Sequence, residues 1–296
     1  MKTRTVYLLV MLSTLFWGAN FVLAGVVMTD LSPLWAAALR FMLGSSIMLV
    51  IVRWHGVELL SSFRQHAGVY ALLGAMGIGA FNLLFFFALQ HTSAANAALI
   101  MATNPLLTTI LAALVLGERA TSRHLAALPF ALIGVVVVIS AGNLQRLATL
   151  HVASGDLLML GANLAWAIYN VLGRRYMPIG SALTNTTLMM ISGTILLVIV
   201  ASASGETLSM PGASASAALL AMAVGGTVLA YLFWTTGIAH LGAGRTALFL
   251  NLVPVFAMLA DTLIGILPSL PQLIGGALVI GAVSVATLPR RQLAAV

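Results

Sequence analysis

Apolar positions along this chain come in runs of about twenty, separated by short segments carrying proline, glycine and charge. A helix needs about 20 apolar residues to cross a hydrocarbon layer of roughly 30 Å. Such runs fall near residues 6–28, 33–53, 67–90, 93–116 and 123–141, then near 154–174, 182–203, 214–239, 243–265 and 270–288. The breaks between them carry stop signals: Asp30-Leu31-Ser32-Pro33, Gly117-Glu118-Arg119, Met177-Pro178-Ile179-Gly180, Met210-Pro211-Gly212 and Leu267-Pro268-Ser269. The pattern predicts an all-α integral membrane protein of ten transmembrane helices.

Composition agrees with a hydrocarbon-facing surface. Apolar residues make up 61% and charged residues 6%, against roughly a quarter charged in soluble domains, and mean hydropathy is +1.10. Basic residues outnumber acidic ones, 13 to 6, yet they form no stripe of the kind that binds a phosphate backbone, so nucleic acid is not expected as a partner. With no cysteine there are no disulfides, thiolate metal sites or cysteine nucleophiles. The one lysine is Lys2, and no G-x-x-x-x-G-K-[ST] run exists to hold nucleotide phosphates, which excludes an ATPase within this chain.

Charge also gives orientation. With the amino terminus cytoplasmic, the cytoplasmic segments hold Lys2, Arg4, Arg53, Arg64, Arg119, Arg123, Arg174, Arg175, Arg245, Arg290 and Arg291, the external loops hold Arg146, and Arg40 lies inside the second span. Both termini are therefore expected inside. Lys2, Arg4 and the run ending Val22-Leu23-Ala24 also resemble a secretory signal, but the apolar run continues to Met28 and is interrupted by Trp17 and Asn20, which favours a retained span.

The chain divides into halves of five spans, 1–145 and 150–296, and an odd repeat enters the membrane from opposite sides. At an offset of 149, Trp17 falls on Trp166, Phe85 on Trp234, His91 on His240 and Pro105 on Pro254. Inverted repeats characterise carriers whose substrate site lies near the midplane between the halves.

Several short motifs now come together: Phe16-Trp17-Gly18-Ala19-Asn20, Ser32-Pro33 with Arg40-Phe41, Thr103-Asn104-Pro105 and Leu116-Gly117-Glu118-Arg119. In order and spacing they resemble the drug/metabolite transporter superfamily, specifically its ten-helix EamA type, over essentially the whole chain. Within it the chain is similar to the YddG-type exporters of aromatic and other neutral amino acids. The resemblance implies a secondary transporter in a bacterial inner membrane, acting on a small-molecule substrate without a cofactor, as a monomer or weak homodimer amid membrane lipid. The family often repeats the Gly-Glu ending in the second half, and here Gly265-Ile266-Leu267-Pro268 replaces it, so the role of Glu118 is expected once.

Polar groups at membrane depth mark function or helix contacts. The acids Asp30, Asp156 and Glu206 fall at external ends, Glu58 and Glu118 at cytoplasmic ends, and Asp261 about four residues inside the outer end of the ninth span. The pathway is thus expected to lack a central charge, which disfavours a strongly ionic substrate. Arg40 sits about seven residues in, roughly 10 Å deep; it either pairs with Asp261 as an external gate or, the favoured reading, snorkels and bonds helix-end carbonyls. His91 and His240 are candidate gate residues, with helix C-terminal capping favoured, and no histidine has the spacing of a metal site. Pro105 and Pro254 interrupt matched helices.

Amides and aromatics are the more informative group. Trp17, Asn20 and Phe21 share a region of span one; Asn163, Trp166 and Asn170 share a face of span six, with Tyr169 beside them. Asn82 and Phe86 in span three, Tyr231 and Trp234 in span eight, and Asn96, Asn104 and Asn251 in spans four and nine complete the candidate lining. Some of these asparagines are expected only to bond neighbouring helices. The set predicts an aromatic cavity with uncharged polar groups, suited to a neutral or zwitterionic solute. A lipid enzyme would need an acid/base constellation, and the external face offers only the separated His151 and Asp156. A non-enzymatic carrier exporting amino-acid-like metabolites is the expectation, with another metabolite or drug as the alternative.

Overall fold

Ten long helical elements account for the apolar runs. The computed structural model describes residues 1–92, 94–143, 145, 148 and 154–287, apart from the side chains of 89, 94–96 and 264. Arg146, His151, Arg290, Arg291 and the Asn96 side chain lie outside the described set. The first half contains α1 (Thr3–Val27), α2 (Pro33–Trp54), α3 (Leu60–Gly74, a π-helical stretch Ala75–Ala80, then Phe81–Leu89), α4 (Ala94–Ala102, a turn, then Asn104–Leu116) and α5 (Ser122–Ser140). The second contains α6 (Ser154–Tyr176), α7 (Ala182–Ala203), α8 (Ala213–Ala221, a π-helical stretch Met222–Leu229, then Ala230–Leu241), α9 (Ala243–Leu248, a 3-10 turn Phe249–Asn251, then Leu252–Asp261) and α10 (Leu270–Thr287).

Among the described residues nine helices are long and apolar enough to cross a membrane. The other is α6, whose 23 residues reach far enough, at about 1.5 Å each, but which carries Asp156, Asn163, Asn170, Arg174 and Arg175. Its two asparagines face protein rather than lipid: Asn163 and Asn170 are buried, and α6 packs between α3 and α4. The third span begins earlier than the apolar run suggests. Leu60 opens a polar first stretch, and His66 (φ −132°, ψ 23°) kinks it before the apolar part begins.

Helix ends follow local chemistry. Ser32, Thr121 and Ser181 accept the backbone N–H of Trp35, His124 and Leu183 and so cap α2, α5 and α7. Gly117 closes α4 at φ +66°, a left-handed conformation that favours glycine.

Packing repeats across the halves. α1 packs on α8 and α9, α6 packs in the same way on α3 and α4, α2 lies on α7, and α5 pairs with α10. Close contacts obey the 149-residue offset. A Cβ on Gly77 would stand 2.5 Å from the Tyr169 ring, and one on Gly226, the mate of Gly77, would strike Asn20, the mate of Tyr169. Gly44 against Thr227 and Gly193 against Ile78 form a second such pair. Where mates touch each other, they mark the two-fold axis: Ser45 Oγ lies 2.8 Å from Thr194 Oγ1, and the rings of Trp17 and Trp166 are 5.4 Å apart. The fold is a ten-helix bundle of two inverted five-helix halves about this axis. Small residues permit the close approaches, as lipid-embedded helices require.

Candidate functional site

A cavity of about 240 Å³ opens between the halves. It runs from Trp166 and Tyr231 on the axis to Val27 and Met28 at the far end of α1, so it faces away from the end that holds the amino terminus. Its walls come from α1, α2, α3, α4, α8 and α9, with Trp166 reaching in from α6.

Packed rings close it toward the amino-terminal end. Trp17 lies 5.4 Å from Trp166, 5.9 Å from Tyr231 and 4.9 Å from Trp234. Trp166 in turn lies 5.0 Å from Phe81 and 5.1 Å from Tyr169. Edge-on and tilted ring pairs at these spacings are favourable beyond their burial. Hydrogen bonds fix their positions. Trp17 Nε1 donates to the Gly226 carbonyl at 2.9 Å, Tyr231 Oη to the Gly77 carbonyl at 3.2 Å, and Trp234 Nε1 to Asn170 Oδ1 at 2.8 Å. The first two carbonyls lie within the π-helical stretches, local departures from α geometry of the kind often found at functional sites.

Of the residues expected to bind substrate, Trp17, Asn20, Phe21, Asn82, Phe86, Trp166 and Tyr231 line the cavity. Trp234 and Tyr169 lie beneath the floor, fully buried, and Asn170 holds Trp234 rather than facing the cavity. Asn163 is a helix-to-helix tie: it receives Asn104 Nδ2 at 2.6 Å and donates to the Ile100 carbonyl at 2.9 Å and to Thr103 Oγ1 at 3.0 Å. Both follow from azimuth: on the helix that carries Trp166, Asn163 turns toward α4 and Asn170 toward α8.

Arg40 departs most from expectation. It neither pairs with Asp261 nor reaches a helix-end carbonyl; it lines the cavity, donates from Nη2 to Asn82 Oδ1 at 3.1 Å, and lies 4.7 Å from the Phe41 ring centroid. The expected absence of a central charge is therefore corrected. Ala36, Ala37 and Arg40 of α2 face the space between the halves, and the short alanines leave room for the guanidinium. Among the described residues no Asp, Glu, His or Lys lines the cavity with it. Buried polar atoms without a partner cluster here: Arg40 Nε, Trp166 Nε1 and Asn251 Oδ1.

The gate and structural candidates sort differently. Pro105 follows the turn at Thr103, and Pro254 follows the 3-10 turn Phe249–Asn251, so both matched prolines break their helices at equivalent places. Pro254 also lines the cavity. His240 is exposed, its Nδ1 lying 2.9 Å from the Thr236 carbonyl in the last turn of α8, which is helix capping. His91 is exposed and away from the cavity. Glu118 meets Arg174 at 3.3 Å across the halves, and Arg174 also donates to the Ala239 carbonyl. Around them a second, polar cavity of about 310 Å³ at the amino-terminal end is lined by Arg119, Arg245, His124 and His240. Among the described residues no group of three or more metal-ligating side chains occurs.

Comparison with known proteins places this geometry. The chain is 39% identical over 282 residues to the uncharacterized transporter YyaM of Bacillus subtilis, covering 95% of this chain and 92% of that one. It is 28% identical to a probable amino-acid metabolite efflux pump of Salmonella typhimurium, covering 92% and 91%. It is also 28% identical to a probable terminal-alkyne amino-acid exporter of Streptantibioticus cattleyicolor, covering 75% and 73%. A solved crystal structure at 23% identity superposes with a TM-score of 0.81 over 97% of both chains and shares the fold. The model of the EamA-like transporter family matches twice, at residues 4–140 and 153–288, and the chain belongs to that family.

Proposed function

We propose that this protein is a secondary carrier that exports small amino-acid-like metabolites, aromatic ones included, across a bacterial inner membrane by alternating access, leaving its cargo chemically unchanged. The observation that carries this reading is a cavity that begins at the rings on the two-fold axis, closed by them at one end and open at the other. A cavity on the symmetry axis can exchange its open and closed ends when the halves exchange conformations, which is the motion inverted repeats support. Eleven of the 13 basic residues fall on the amino-terminal side of the predicted spans, which supports a cytoplasmic amino terminus and makes the state described outward-open. The volume suits a solute of amino-acid size, and the aromatic lining suits an apolar side chain. Relatives described as amino-acid exporters support the same cargo class.

Counterflow in proteoliposomes tests it. Vesicles preloaded with unlabelled phenylalanine or leucine should accumulate the labelled amino acid transiently and saturably. An absence of saturable flux across a panel of neutral amino acids would reject this function.

A further inference from the structure

We propose that Arg40 is the anchor for the cargo's carboxylate, so that the site requires a carboxylate and treats the ammonium group as secondary; this rests on the carrier reading above. Arg40 carries a charge at a depth where an unpaired charge is costly. An ion pair with a neighbouring acid would normally relieve that cost, yet none of the six acidic residues lines the cavity. Its one hydrogen bond among the described residues goes to the neutral amide of Asn82, and its Nε is buried without a partner. Asn82 is itself held, donating to the Ile78 carbonyl at 2.7 Å, so the guanidinium is oriented as well as charged. A guanidinium presents paired N–H donors in a plane that matches a carboxylate.

The remaining wall chemistry sets the other half of the preference. For an ammonium group the cavity offers the Asn251 Oδ1 acceptor, also without a partner, and the faces of Trp17, Trp166 and Tyr231. Those are neutral contacts, worth less than a charge-assisted pair in a low-dielectric site. The cargo class that fits is a monocarboxylate with an apolar tail, with or without an α-amino group. The opposite end of the pathway agrees. Its polar cavity sets Arg119, Arg174 and Arg245 against the single acid Glu118, a surplus that draws anionic groups inward.

Ligand-induced thermal stabilisation of the purified carrier separates this from the transport reading, because it needs no flux. The probes are phenylalanine, 3-phenylpropanoate, phenylalaninamide and phenethylamine. The two carboxylates should bind within a few-fold of each other, and the amide and amine about tenfold to a hundredfold more weakly, as expected for a lost charged hydrogen-bonding pair. Arg40→Met should lose the carboxylate response, and Arg40→Lys should keep part of it. Without ligand, Arg40→Met should melt no lower than the parent, because it removes an unpaired buried charge; a marked drop would assign Arg40 a structural role and overturn the proposal. Equal binding of amine and acid, or no response to either carboxylate, would also overturn it. Carboxylate binding without counterflow would instead reject the carrier reading and leave the Arg40 assignment standing.

Discussion

Glycine and its contacts decide how closely the halves approach the axis. Gly77 gives way to the side chain of Tyr169, and its repeat mate Gly226 gives way to Asn20, the repeat mate of Tyr169. Gly77→Ala places a methyl group 2.5 Å from a ring that is itself buried beneath the cavity floor. Overpacking of this kind costs about 1–3 kcal/mol, so the variant should melt measurably lower in detergent. Gly173→Ala meets nothing within 4 Å and should be neutral or gain up to about 1 kcal/mol by helix propensity. Equal melting temperatures for the two variants would contradict the packing described. At this scale the sequence was legible in part. Residue types and depth pointed to Trp17, Asn20, Asn82, Trp166 and Tyr231, because polar and aromatic groups in an apolar run have few other reasons to be there. Depth does not give azimuth, however. Asn163 and Arg40 show the two errors that follow: one turns toward α4 to bond Asn104, and the other turns from its expected interface into the cavity.

Elements show the same division between what local chemistry reveals and what tertiary contact imposes. Run lengths and the flanking Pro, Gly and Ser residues marked nearly every helix end, because the hydrocarbon thickness leaves few alternatives. Matched prolines likewise foretold the breaks in α4 and α9. The π-helical stretches Ala75–Ala80 and Met222–Leu229 were not foreseen. Each contains a carbonyl taken by a ring donor from another helix, Gly77 by Tyr231 and Gly226 by Trp17, and no local pattern encodes that. The break in α4 invites a direct test. Pro105 is buried outside the cavity wall, so Pro105→Ala restores a helical N–H without touching cargo. If the break serves as a hinge, maximal counterflow should fall several-fold while the half-saturation concentration stays within about twofold, as expected when a conformational step limits turnover. A change in half-saturation alone would instead make Pro105 part of the binding surface.

At the scale of the molecule, the two halves are alike in packing but unlike in their ties. The amino-terminal end is held shut by Glu118 and Arg174, 3.3 Å apart, with Arg174 also on the Ala239 carbonyl and Arg175 on the Val115 carbonyl at 3.0 Å. The contacts of Arg174 with Glu118 and of Arg175 with Val115 bridge the halves. The position matching Glu118 in the second half is Leu267, so when the opposite end closes it has no equivalent ion pair to hold it. The tie therefore biases the equilibrium toward the state described. Its side chains are 39% and 29% exposed, and water and salt weaken such a pair to about 0.2–1 kcal/mol, a population change of up to about fivefold. The chain has no cysteine, which leaves introduced thiols as the only labelling sites. Spin labels at Ser122→Cys and Gly180→Cys, on opposite halves of the amino-terminal end, should report a larger share of long distances in Glu118→Gln than in its parent. High salt should move the parent in the same direction and the variant hardly at all. Distance distributions indifferent to both changes would mean that the floor of rings alone sets the resting state, and that the single glutamate contributes to some other property of that end.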